Sequence, residues 1–294
     1  MRVFVTGASG FIGSAIVQEL IHAGHQVTGL ARSAASATAL ANAGADVLQG
    51  SLEDLDSLKK GAAGADGVIH AAFIHDFSNY LAAAETDKKA IEAIGSVLIG
   101  SDRPLVVTAG ILGIRNDGQL ITEDDPAPGF PRASEAAAMA LAEAGVRASV
   151  IRLPPSVHDQ GDYGFVPFII GMARKHGVSA YVGEGTNRWP AVHRLDAALV
   201  FRLALEKGET GRRYNAIGDE GIPVREIAGV IGQYLNLPVA SVPAEEAAAH
   251  FAWMSRFIMF DSPASAVKTK EQLNWTPLHP GLLDDLNKGH YFGH

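Results

Sequence analysis

Over the first seventy residues, short β-branched apolar runs alternate with longer stretches in which apolar positions recur at helical spacing. This is the pattern of βαβ units built around a parallel sheet buried on both faces. Residues 3–5 are expected as the first strand. Phe11, Ile12, Ala15, Ile16, Leu20 and Ile21 then share one helical face, with Gly24 as the stop signal. Further strands are expected at 25–31, 45–48, 67–72, 104–108 and 149–153, with helices at 54–60, 78–98 and 134–144 between them. The fold class is therefore α/β, a Rossmann-type doubly wound parallel sheet.

From Pro154 onward the alternation breaks, and Pro and Gly become frequent among short segments. The expected organisation is a dinucleotide-binding domain over 1–154, followed by a smaller, interleaved C-terminal part over 155–294 that mainly binds substrate. Residues 191–205 again read as a strand tip and a helix, so segments around 190–215 are expected to return to the first domain. The apolar groups of 250–260, His250-Phe251-Ala252-Trp253-Met254-Ser255-Arg256-Phe257-Ile258-Met259-Phe260, are too close together for one helical face. They suit either a lid over an apolar ligand, with Trp253 and Phe257 touching substrate, or the core of the small domain or a dimer contact.

Composition removes several function classes. The chain has 24 Lys+Arg against 32 Asp+Glu and a formal charge of −8, so it offers no broad basic field for nucleic acid. It has no cysteine, which excludes disulfides, zinc–thiolate sites and a Cys nucleophile. The eleven histidines contain no HExxH, and no metal is expected. There is no signal-peptide pattern and no apolar run near eighteen residues. The expectation is a cytoplasmic protein with a small-molecule substrate and no membrane partner. The alanine-rich stretches at 78–98 and from 134 permit close helix packing in a homodimer or within a monomer.

The most informative segment is Thr6-Gly7-Ala8-Ser9-Gly10-Phe11-Ile12-Gly13, lying between the first strand and the first helix. In that context Gly7 allows a tight turn and Gly10 lets the backbone approach a pyrophosphate. Gly13 lets the helix lie close on the strand, and helix N-terminal amides face the phosphate charge. After the second strand, where an NAD site normally carries an acid for the ribose 2′-hydroxyl, the chain has Ala31-Arg32-Ser33. Arg32 could hold a 2′-phosphate by a charge-assisted fork, which favours NADP(H) over NAD(H).

These residues resemble the short-chain dehydrogenase/reductase superfamily, in its extended and atypical branch related to nucleotide-sugar epimerases and dehydratases. The resemblance covers nearly the whole chain. Residues 6–13 match TGxxGxxG, Gly50-Ser51-Leu52-Glu53-Asp54 resembles GDLxD, and His70-Ala71-Ala72 resembles HxAA. Residues 191–198 (AVHRLDAA) resemble VHVxDxA, and Leu273-Asn274-Trp275-Thr276-Pro277 resembles LGWxP. The resemblance implies that Ser51 and Leu52 lie near the adenine, Ala71 and Ala72 beside the cofactor, and Pro154 in a loop passing the nicotinamide. It also implies that Arg188 contacts a substrate pyrophosphate.

The chemistry departs from the family. Its Ser or Thr, Tyr and Lys set has no counterpart: none of the six tyrosines is followed by Lys four residues later. Thr108 is the only hydroxyl at the end of the fifth strand, one or two places early. Arg132 fits the last position of the HxxxR seen in atypical members, whereas Pro128 does not fit the first. Arg132 is permanently charged, so it can hold a ribose or stabilise an oxyanion but is a poor proton donor. His158 and Tyr163, after the sixth strand, are the expected acids. The leading expectation is an NADPH-dependent reductase of a small, largely apolar carbonyl, enone or imine. The alternatives are a non-catalytic NADP-binding sensor and an epimerase or dehydratase with bound NAD.

Overall fold

The computed structural model describes residues 1–76, 79–114, 117–127 and 132–293. Strands β1 (Arg2–Thr6), β2 (Gln26–Ala31), β3 (Asp46–Gln49), β4 (Gly67–His70), β5 (Pro104–Gly110) and β6 (Arg147–Leu153) are joined in sequence by helices. These are α1 (Phe11–His22), α2 (Ala34–Asn42), α3 (Leu55–Ala63), α4 (Tyr80–Ser96) and α5 (Ser134–Glu143). The sheet is parallel throughout, with the spatial order β3-β2-β1-β4-β5-β6, and Arg213–Asn215 is added beside β6. The order reverses at β1 and β4, and ligands of such sheets bind at that crevice.

Alternation along the strands explains why both faces are dry. Val3, Val5, Ile69 and Val106 pack on one side with Ile16 of α1 and with Phe201. Their neighbours Phe4, Val68, Leu105 and Val107 pack on the other, with Leu58 of α3 and Ile91 of α4. A strand buried on both faces reads as a continuous apolar run, and this one does. Polar side chains set the helix starts: the Ser33 hydroxyl accepts from Ser36 N and the Asp54 carboxylate from Ser57 N, each satisfying an amide that the helix leaves free.

After β6 the chain forms β7 (Ser156–His158), α6 (Phe165–His176), β8 (Ser179–Val182) and β9 (Arg188–His193). Then α7 (Arg194–Lys207) runs back along α1. Two small sheets, one of three strands and one of two, hold the rest around a third apolar cluster containing Trp189, Ile227, Phe251 and Met254. Among the described residues, no helix is long and apolar enough to cross a membrane.

Candidate functional site

A cavity of about 1380 Å³ runs from the β1–α1 loop to the segment around residue 257. At its first end the chain turns so tightly that glycine is required. Gly7 has φ +68°, and a Cβ there would meet the backbone of Ala71 and Ala72 at 2.7–2.8 Å. A Cβ on Gly13 would lie 1.9 Å from the Gly7 carbonyl oxygen, so the first turn of α1 rests directly on the loop. Gly10 is the N-terminal cap residue of α1, and the Phe11 amide is turned to the cleft, where it donates to the Tyr163 hydroxyl at 3.3 Å. Exposed amides at a helix start are suited to a phosphate charge. A dinucleotide fits this end on the chemistry of the cradle itself.

Of the expected cofactor residues, Gly7, Ser9, Gly10, Phe11, Ile12, Gly13, Arg32, Ser51, Leu52, Ala71, Ala72, Thr108 and Pro154 all line the cavity. Ser33 does not; its hydroxyl is occupied in capping α2. Glu53 lines the cavity too, a carboxylate that follows β3 rather than β2 and so escapes a search confined to the second strand's end.

The middle of the cleft is carried by a polar chain in which Thr6 and His70 belong to the TGxxGxxG and HxAA motifs, whereas Asp87 and Ser134 belong to none. Arg132 Nε donates to Ser134 Oγ at 2.8 Å, and Ser134 Oγ donates to Asp87 Oδ2. Asp87 Oδ1 lies 3.1 Å from His70 Nε2, and His70 Nδ1 lies 2.9 Å from Thr6 Oγ1, which accepts from Ala72 N. Burial alone would raise the Asp87 carboxyl. Hydrogen bonding to His70, the His70 and Arg132 charges, and Ser134 outweigh it and hold the group below its ordinary value. The chain thus links the end of β1 to the cation at the start of α5.

Arg132 is fixed further by a bond from Nη2 to the Thr108 carbonyl, at 3.1 Å, and by stacking 4.1 Å over the Phe73 ring. Thr108 lies inside β5, which continues to Gly110, and its hydroxyl donates to the His70 carbonyl at 2.9 Å. Its hydroxyl is therefore committed to the sheet. Pro128, the first position of the HxxxR comparison, lies outside the described residues.

The two expected acids are not brought together. His158 is fully buried off the cavity, with Nδ1 3.0 Å from Asp285 Oδ2 and its ring against His193. Burial keeps it below the ordinary histidine value despite Asp285, so it is a neutral group in a packed seam. Tyr163 does line the cleft, but it stands edge-on to Phe11 at the phosphate end. Asp162 beside it also lines the cleft. Burial raises its carboxyl to about 6, against bonds from Gly164 N and the Tyr291 hydroxyl.

On the substrate side, Trp253 and Phe257 line the cleft with Phe165, Phe168, Arg256 and Phe260. Residues Ala252–Met259 form a 3₁₀ helix, and its apolar groups are too close for one face because they serve two. Phe251, Met254 and Ile258 go to the core, while the intervening aromatics face the cavity. Arg188 is not in the cleft. It makes a two-pronged ion pair with Asp261, at 3.0 and 2.8 Å, and donates to the Gly118 carbonyl, so its charge is already matched.

A family model described as NAD(P)H-binding matches residues 7–165, more than half of the chain. An uncharacterized protein of Schizosaccharomyces pombe is 52% identical over 99% of this chain and 100% of its own length. An uncharacterized protein of Saccharomyces cerevisiae is 47% identical over 97% and 98%. A 2-alkyl-3-oxoalkanoate reductase of Stenotrophomonas maltophilia is 29% identical over 81% of this chain and 77% of its own. Among solved structures, the dTDP-glucose 4,6-dehydratase DesIV of Streptomyces venezuelae, with NAD and TYD bound, superposes with a TM-score of 0.79 at 20% identity, covering 99% and 96%. MoeE5 in complex with UDP-glucose and NAD gives 0.75 at 22%, covering 99% and 97%.

These bound cofactors correct the expectation of NADP(H): the neighbours of this fold hold NAD. Arg32 is exposed, and Glu53, which is exposed too and lines the same cavity, is a carboxylate of the kind that suits a ribose 2′-hydroxyl and opposes a 2′-phosphate. By sequence and by architecture, the chain belongs to the NAD(P)H-binding family and has the extended short-chain dehydrogenase/reductase fold, that of oxidoreductases and epimerase/dehydratase-like enzymes.

Proposed function

We propose that this protein is an NAD(H)-dependent oxidoreductase that moves hydride to or from the carbonyl carbon of a small, largely apolar compound. The observation that carries the reading is the single cleft. It joins a phosphate cradle at Gly7–Gly13 to a wall of Phe165, Phe168, Trp253, Phe257 and Phe260, with the Arg132 cation between them. We take 1–154 as the dinucleotide-binding part and 155–294 as mainly the substrate part, with segments around 190–215 returning to the first.

When bound, the nicotinamide supplies or accepts the hydride. The amides at the start of α1 hold the phosphates, and Ser51, Leu52 and Glu53 bracket the adenosine end. Arg132, held by Ser134 and Thr108, presents a fixed positive charge to the oxygen that becomes negative or to the nicotinamide ribose. The aromatic wall excludes water and orients an apolar substrate. The reductase name of the Stenotrophomonas relative agrees with this chemistry.

A second reading, an epimerase or dehydratase with tightly held NAD, is favoured by the names of the solved neighbours. Against a sugar nucleotide stands Arg188, whose charge is matched by Asp261 outside the cleft. The deciding experiment begins with the cofactor content of the purified protein. NADH oxidation is then followed with a panel of aldehydes, ketones, enones and imines. Turnover with added NADH supports the proposal. Copurified NAD without exchange supports the second reading, and NADH binding with no turnover on any compound supports a sensor.

A further inference from the structure

The family's tyrosine and lysine are missing from their usual helix, yet an oxyanion formed by hydride addition needs a proton. Resting on the oxidoreductase reading above, we propose that Tyr80, at the first turn of α4, is the proton donor of this site, with Arg132 from the start of α5 supplying the positive charge that lysine provides elsewhere. Two residues more than fifty positions apart would thus rebuild one function from the start of α4 and the approach to α5.

Position in the cleft points to Tyr80. Of the six tyrosines, only Tyr80 and Tyr163 line the cavity. Tyr163 is turned to the Phe11 amide at the phosphate end. Thr108 donates its hydroxyl to the His70 carbonyl, and His158 is off the cleft. Tyr80 packs on Phe73 with ring centres 5.8 Å apart, and the Arg132 guanidinium lies 4.1 Å from the centre of the same ring. Phe73 is therefore a shared platform, placed where β4 delivers its chain into the cleft beside Ala71 and Ala72.

The electrostatics around the phenol agree. Burial raises its pKa, Arg132 pulls it down, and the Asp87 charge opposes Arg132. The third ionisable neighbour is His75, whose ring stands edge-on to Phe73, and which desolvation and Arg132 hold below its ordinary value and so neutral near pH 7. Tyr80 is accordingly protonated at neutral pH, the state that serves reduction. In the step, the carbonyl carbon gains hydride from the reduced nicotinamide and the C=O π pair moves to oxygen. That oxygen takes the Tyr80 Oη proton, the phenolate is stabilised by Arg132, and water at the cleft mouth returns the proton.

The test uses full-length protein with Tyr80→Phe, His75→Gln and Arg132→Met. Three readouts are taken: NADH affinity by fluorescence, NADH-dependent carbonyl reduction, and the tyrosinate absorbance of wild type minus Tyr80→Phe against pH. We expect Tyr80→Phe to lose roughly 100-fold in kcat with NADH affinity unchanged, and His75→Gln to keep most activity. We expect Arg132→Met to move the Tyr80 titration upward by about one unit. An active wild type with Tyr80→Phe at the same rate overturns Tyr80 alone, as does a loss confined to His75→Gln. A Tyr80 titration unmoved by Arg132→Met overturns the pairing. Wild type that binds NADH but reduces no carbonyl overturns the oxidoreductase reading and Tyr80's catalytic role together, while the titration still reports whether the charge pair exists.

Discussion

Two glycines three residues apart should fail in different ways when each gains one methyl group. At Gly13 the added carbon would lie 1.9 Å from the Gly7 oxygen and 2.7 Å from its carbon. Ordinary carbon–oxygen approach is about 3.3–3.6 Å, so the start of α1 must retreat by roughly 1.4 Å from a loop that is itself backbone. Because α1 is packed against α7 and against Val3 and Val5, a shift of that size meets a close-packed core. The cost should lie at the upper end of overpacking, about 3 kcal/mol. At roughly 2 °C per kcal/mol for a chain of this size, Gly13→Ala should melt about 6 °C lower.

At Gly10 the nearest atoms to an added Cβ are the Gly7 oxygen at 3.2 Å and the Tyr163 hydroxyl at 3.9 Å. The backbone there has φ −76°, which alanine adopts without strain. Gly10→Ala should therefore melt within about 1 kcal/mol of wild type, helped by the smaller entropy of its unfolded chain. Its methyl group nevertheless stands beside the Phe11 amide, in the space a pyrophosphate must enter. NADH affinity should fall by about tenfold or more, equivalent to roughly 1.4 kcal/mol. Calorimetric melting and an NADH fluorescence titration on both variants separate the two effects. Unchanged NADH affinity in Gly10→Ala would refute the assignment of the loop, and an unchanged melting temperature in Gly13→Ala would refute the packing argument.

Three other outcomes are expected. Glu135 accepts from Arg152 at 2.7 Å through both oxygens and from Arg213 at 2.6 Å, while Arg152 is fully buried. Glu135→Ala strands that cation and should cost about 3–5 kcal/mol in denaturant unfolding; a loss below about 1 kcal/mol contradicts the ion-pair account. Asp162 has a folded-state pKa of about 6, raised above its ordinary value, so its contribution to stability is intact below about pH 4 and lost as pH rises through 6. Asp162→Asn should thus melt higher than wild type at pH 8 but close to it near pH 4, and an equal difference at both pH values would show the carboxylate is not desolvated. Tyr163→Phe frees the Phe11 amide for phosphate and should bind NADH as tightly as wild type or up to about fivefold tighter, since one hydrogen bond is worth about 1 kcal/mol; a tenfold weaker titration would instead make the hydroxyl a cofactor ligand.

The sheet was legible because its strands are buried on both faces, which writes them as runs such as Val3-Phe4-Val5 that few other structures require. The expected strand and helix positions agree with the observed ones to within a few residues. The glycine loop was equally legible, since its spacing follows from local geometry at one turn. Arg188 shows the limit of motif position: the residue is where the comparison puts it, but Asp261, seventy-three positions away, has taken its charge. Arg32 shows another limit. The end of β2 shows one cation, whereas Glu53, which follows β3, the strand paired with β2, lines the same cavity.

The sequence by itself determined the doubly wound sheet, the phosphate cradle and the absence of the usual tyrosine–lysine pair, because each depends on residues close together in the chain. Which distant side chains meet in the cleft follows from the packing of the elements instead. The Thr6–His70–Asp87–Ser134–Arg132 chain draws on two strands, a helix, and the start of another with its approach. The Phe73 platform joins a loop after β4 to a residue on α4 and to one in the approach to α5. Such contacts leave no periodicity or spacing behind, since burial and hydrogen-bond satisfaction are properties of the packed elements together rather than of any one segment.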